Sequence, residues 1–116
     1  DADNYVVDAR PAGAAKAGEA SAIDVVLTTK GDYHINKQYP YKFKLADPAP
    51  AGVTFPKPVL VRADGSFDEK TAKFHVPFVA SKSGKVTVGG TFSLSVCSDA
   101  NCIMDKQNVD VDVDVK

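Results

Sequence analysis

Two runs of strict alternation near the C-terminal end constrain this 116-residue chain most. Val86, Val88, Gly90, Phe92, Leu94 and Val96 share one parity, with Thr87, Thr91, Ser93 and Ser95 on the other. Val109, Val111, Val113 and Val115 then alternate with Asp110, Asp112 and Asp114. A period of two is that of a strand with one buried and one solvated face. Between the runs lies Cys97-Ser98-Asp99-Ala100-Asn101-Cys102, which holds both cysteines of the chain. A polar, turn-forming tetrapeptide between strands sets its flanking residues opposite one another, so the two sulfurs are expected within bonding reach.

The rest of the chain repeats the pattern. Asn4 to Ala9 reads as a short strand closed by Pro11 and Gly13. Ala12 to Ala20 reads as a loop despite its alanines, because Gly13 and Gly18 would each cost a helix interior about 1 kcal/mol. Ser21 to Thr29 alternates around Ile23, Val25 and Leu27, and Tyr41, Phe43 and Leu45 alternate with Lys42 and Lys44. Asp47 to Gly52 carries closely spaced prolines and is expected to be irregular. Val53 to Phe55 and Val59 to Val61 are short extended segments, and Arg62 to Ser66 carries an Asp-Gly turn signal. Ala72 to Ala80 presents Phe74, Val76 and Phe78 to one side. Seven or eight strands, no convincing helix and frequent turn signals predict an all-β chain. The expected architecture is one immunoglobulin-like antiparallel β-sandwich spanning residues 1–116.

Composition narrows the function classes. A net charge of −1 gives no electrostatic case for nucleic acid or an anionic membrane. The longest apolar runs, such as Ile23 to Leu27 with Asp24 inside it, fall far short of the roughly 18–20 residues of a membrane helix. A chain starting at Asp1 looks like a mature exported protein whose signal peptide has been removed. A cysteine pair at short spacing fits an oxidising compartment, so a periplasmic or secreted monomer is expected.

The pair itself leaves two readings open. A bridge closing so short a loop contributes only about 2 kcal/mol in the chain-entropy picture, against about 4–5 kcal/mol for a loop of about 100 residues. A bridge placed for stability would more profitably join distant strands. With Val86 to Val96 inward at even positions, Cys97 takes the opposite parity, so both sulfurs are expected near the surface, within reach of a partner thiolate. Asp99 and Asp105 would tend to raise a nearby thiol's pKa, and Lys106 is the nearest cation. One reading is a redox couple, a possible thiol:disulfide oxidoreductase. The other is a secreted or surface sandwich that binds protein, without enzymatic activity, its hairpin merely clasped by the bridge.

The stretch Thr91 to Cys102 resembles the signature of the N-terminal periplasmic domain of the thiol:disulfide interchange protein DsbD. Lys30 to Asn36, the strand ending at Leu45, and Ala51 to Phe55 fall in that family's order, so the likeness runs from about Ile23 to Val115 at low identity. Where the family places a proline-containing segment after the second cysteine, this chain has Ile103-Met104-Asp105-Lys106. The resemblance implies an electron relay between a membrane thiol reductase and thioredoxin-fold proteins through mixed disulfides. It makes Cys97 and Cys102 the couple and needs no cofactor. It also implies a cap loop at about Val61 to Phe67, with Phe67 shielding the pair, and places Tyr33 and Asp99 beside it.

Other constellations read more blandly. His34, His75, Cys97, Cys102 and Met104 are soft-metal ligand types, but nothing in the sequence brings the histidines to the turn, and no metal is expected. Asp110, Asp112 and Asp114 would stand at roughly 7 Å steps on a strand, too far apart to converge on calcium. They suit a solvated face, paired with lysines of a neighbouring strand, that discourages edge-to-edge association. Tyr39-Pro40-Tyr41 fits either a binding patch or the core and rim of one strand. Gly89-Gly90 within a strand suggests a bulge. No serine-nucleophile motif or glycine-rich phosphate loop is present.

Overall fold

The computed structural model describes residues 4–47 and 49–116; Asp1, on which the expectation of a removed leader rests, and Pro48 of the proline-rich segment lie outside them. Ten strands follow in order: β1 Tyr5–Pro11, β2 Ala20–Thr29, β3 His34–Ile35, β4 Lys42–Leu45, β5 Val53–Thr54, β6 Val59–Val61, β7 Gly65–Phe67, β8 Thr71–Ala80, β9 Gly84–Cys97 and β10 Cys102–Val115. They form two antiparallel sheets. One runs β1-β2-β8, with β5 and β7 both on the far side of β8, and the other runs β10-β9-β4-β6, with β3 beside β4 on β9. The ten segments thus fill eight strand positions, in the immunoglobulin-like arrangement.

Alternation accounts for the packing. Ile23, Val25 and Leu27 of β2 and Phe74, Val76 and Phe78 of β8 are fully buried, as are Phe43, Val88, Phe92, Leu94 and Val96 of the opposing sheet. Each such side chain contributes roughly 1.5–3 kcal/mol when taken out of water. Phe92 is the junction between layers, its ring 6.2 Å from Phe43 within its own sheet and 5.6 Å from Phe74 across the core, both edge-on. After β1 the chain crosses from one sheet to the other. Ala12 still donates to Ala22, but Ala15 makes a parallel bridge with Val115, and Gly13 between them adopts φ 139°.

Three expectations about the strands and turns need correction. Gly89 and Gly90 form no bulge, because the β9–β10 register is continuous from Cys97↔Cys102 to Gly84↔Val115. The glycines instead allow close backbone approach: a Cβ on Gly90 would stand 2.2 Å from the Lys44 carbonyl oxygen, and one on Gly89 2.3 Å from that of Val109. Arg62 to Ser66 is more than a turn. Arg62–Asp64 is a single 3-10 turn, and Gly65 then starts β7, paired to β8. The third concerns the exposure of Cys97, taken up below.

Candidate functional site

Strands β9 and β10 form the longest hairpin, 14 residues on each side. At its tip Ser98 N–H donates to the Asn101 carbonyl at 2.8 Å, and the Ser98 hydroxyl receives the N–H groups of Ala100 and Asn101 at 3.2 and 3.3 Å. Serine at the first loop position therefore holds the turn by its own side chain. The turn sets Cys97 directly opposite Cys102, their Cα atoms 4.0 Å apart, and a disulfide joins them.

The two sulfurs do not share an environment. Cys97 is buried, at 6 % exposure, whereas Cys102 is exposed. The parity expectation put Cys97 on the outer face, alongside Ser93 and Ser95. The parity holds, but the exposure inferred from it does not, because the outer face is covered here. Asn36, in the β3–β4 connection, reaches over to Ser95 Oγ at 3.1 Å, leaving Ser95 fully buried. Beyond it His34 of β3 lies directly opposite Cys97. The histidine that seemed remote from the turn is therefore its neighbour, and sequence reasoning missed it. The outer row at the hairpin tip reads His34, Cys97, Cys102 across three strands, with Met104, 73 % exposed, next along β10.

Tyr33 reaches the same turn, its hydroxyl 3.2 Å from Asn101 Oδ1. Asp99 is exposed at the loop tip. Phe67 is half-buried against the core, its ring 4.9 Å from Tyr41 and 5.7 Å from Phe74, with the Arg62 guanidinium 5.1 Å from its centre. The segment expected as a cap, Val61 to Phe67, is tied down by hydrogen bonds. Arg62 donates to the Asn36 and Tyr39 carbonyls, both at 3.2 Å, and Asp64 accepts from Val61 N–H at 2.9 Å. Tyr41 is buried and Tyr39 packs edge-on against it at 5.2 Å, the core-and-rim arrangement.

Electrostatics near the pair also depart from expectation. Asp105 faces inward, where its carboxylate accepts from the Tyr5 hydroxyl of β1. That bond, with one from its neighbour Lys106 N–H, holds the carboxyl below the usual range. Its charge is thus committed to the opposite sheet. On the outer face Asp112 accepts from the Thr87 hydroxyl at 2.8 Å and Asp114 stands opposite Lys85, as a solvated stripe would. Among the described residues no group of three or more acidic, histidine or cysteine side chains is placed to hold a metal, and no helix is long and apolar enough to cross a membrane.

Together these features define a disulfide-bonded immunoglobulin-like β-sandwich. No family model matches the chain, and no curated protein matches it. Among solved structures it is similar to AggA, the major subunit of aggregative adherence fimbriae type I from Escherichia coli. That likeness has a TM-score of 0.42 at 10 % identity, over 98 % of this chain and 97 % of that one.

Proposed function

We propose that this chain is a thiol–disulfide exchange domain of the DsbD N-terminal type, working outside the cytoplasm on a thioredoxin-fold or membrane-reductase partner. The observation that carries the reading is the asymmetry of the bridge, with Cys102 open to solvent and Cys97 buried behind it. A bridge with one accessible sulfur defines where a thiolate enters and which thiolate leaves. The partner's thiolate bonds to Cys102 Sγ, the Cys97–Cys102 bond breaks, and its electron pair goes to Cys97. A second partner thiolate then takes the partner's sulfur back, releasing Cys102. The sandwich ends as a dithiol and the partner as a disulfide, and the reverse sequence runs through the same mixed disulfide.

Trapping tests this. A Cys97→Ser variant, with its Cys102 thiol activated as a mixed disulfide to an aromatic thiol, should transfer onto the accessible thiol of a thioredoxin-fold protein. The matching Cys102→Ser variant should not. Absence of transfer, with a reduction potential below about −300 mV, would leave the pair as a hairpin clasp on a protein-binding sandwich.

A further inference from the structure

The row across β3, β9 and β10 contains a titratable side chain with no part in the exchange steps above. His34 lies directly opposite Cys97, and Cys102 lies directly opposite Cys97 on the other side. Directly opposed residues of antiparallel strands project to one face with their β-carbons about 4.5–5.5 Å apart. Imidazole, buried sulfur and exposed sulfur therefore stand in line. His34 is half-buried, and its Nδ1 lies 3.2 Å from the Ile35 carbonyl oxygen. A carbonyl only accepts, so that contact assigns the hydrogen to Nδ1 and leaves Nε2 as the nitrogen that gains and loses a proton.

The chemistry of the row calls for a proton. Opening the bridge at Cys102 creates a thiolate at Cys97, which is 6 % exposed. Burial disfavours an uncompensated thiolate, and a neighbouring imidazolium favours it. The other charged groups around β3 are engaged or point to water. Lys70 Nζ donates to the carbonyls of Gly31 and Tyr33 at 2.9 and 2.6 Å, Arg62 to those of Asn36 and Tyr39, and Asp105 accepts from Tyr5. Lys30, Asp32 and Lys37 in the adjoining connections, Asp68 and Glu69 before β8, Asp99 on the turn and Lys106 on β10 are exposed.

We infer that His34 is the proton partner of Cys97, a role that rests on the exchange reading and deepens it. As the incoming thiolate bonds to Cys102 and the bridge breaks, the electron pair goes to Cys97 Sγ and the Nε2 proton of the His34 imidazolium follows it. The neutral ring regains its proton from solvent. In the reverse direction the neutral ring takes the Cys97 proton as that sulfur closes on Cys102.

Two measurements on the whole chain test this without any protein partner. In a Cys102→Ser background, the thiolate absorbance of Cys97 is titrated with His34 intact, with His34→Asn and with His34→Lys. His34→Gln serves as a second neutral variant should the asparagine one not fold. The neutral variants should raise the Cys97 midpoint by about one pH unit, and His34→Lys, which keeps a cation, should bring it back down. With the bridge intact, the pH profile of the rate of reduction by dithiothreitol should show an inflection that the neutral variants lose. Superimposable titrations and rate profiles in wild type and neutral variants overturn the role of His34, even where trapping on Cys102 succeeds. A His34-dependent titration with failed trapping overturns the exchange reading instead and upholds the His34–Cys97 coupling.

Discussion

The hydroxyl of Tyr5, on the edge strand of one sheet, donates a hydrogen bond to the carboxylate of Asp105, on the edge strand of the other. Gln107 Nε2 completes the cluster, 2.9 Å from the Tyr5 oxygen and 3.2 Å from Asp105. Three polar groups thus close the open side of the sandwich where β1 passes over β10.

Tyr5→Phe should cost about 2 kcal/mol in urea unfolding, the usual worth of a bond to a charged acceptor. The bond also sets a pH dependence. The Asp105 carboxyl is held low, first by Tyr5, so its contribution is present above the ordinary carboxyl range and is lost as pH falls through the folded-state value. Tyr5 and Tyr41 are both raised, chiefly by burial, so their contributions hold below about pH 10 and are lost as pH rises through the folded values. Tyr5→Phe should therefore flatten the acid limb of a stability–pH curve as well as lower its plateau.

Gly90→Ala should destabilise by about 2–3 kcal/mol, among the larger effects of any single methyl in this chain. The added carbon would meet the Lys44 carbonyl at 2.2 Å and the Leu45 Cα at 2.8 Å, neither of which can swing aside. Chemical denaturation midpoints measure the loss. A change under about 0.5 kcal/mol would mean that β4 does not press on β9 as described.

Arg62→Ala removes two hydrogen bonds to the 36–41 connection and a cation over two rings, 5.1 Å from the Phe67 centre and 5.8 Å from that of Tyr41. A loss of about 1–3 kcal/mol is expected, with faster amide exchange at Asn36, whose N–H donates to the Tyr41 hydroxyl. Arg62→Lys should not restore it, because a point charge lacks the planar fork and the stacking surface.

Replacing both cysteines, Cys97→Ala with Cys102→Ala, should cost about 2 kcal/mol and leave the far-ultraviolet circular dichroism unchanged. The ladder below the tip and the Ser98 turn bonds remain to hold the hairpin. A much larger loss would mark the bridge as a structural necessity.

Much of the fold was legible because period-2 patterning is local. Residues 21–29, 72–80, 86–96 and 109–115 read as strands from their own composition, and the irregularity of 12–19, though not of Ala20, which starts β2, followed from two glycines. What is not local was hidden. Whether Gly90 meets Lys44, or β1 passes over β10, depends on which strands become neighbours. The site divided the same way. The turn told that Cys97 and Cys102 meet, but His34 reaches Cys97 across 63 positions of chain through a strand of two residues, His34–Ile35. Parity put Cys97 on the outer face and could not foresee that Asn36 would roof that face over Ser95. A Tyr-His-Ile-Asn run after a turn was the only available signal, and it does not reveal its pairing.

The bridge joins two residues that the strand ladder already makes neighbours, just beyond Ile103↔Val96 and just below the Ser98–Asn101 bond. Opening it releases no distant segment, because the two cysteines are only five positions apart and their strands stay paired below them. Under the exchange reading proposed above, such a scaffold would hand over a pair of electrons as a rigid carrier. A partner would then tell the two states apart by the sulfurs and their immediate surroundings rather than by shape.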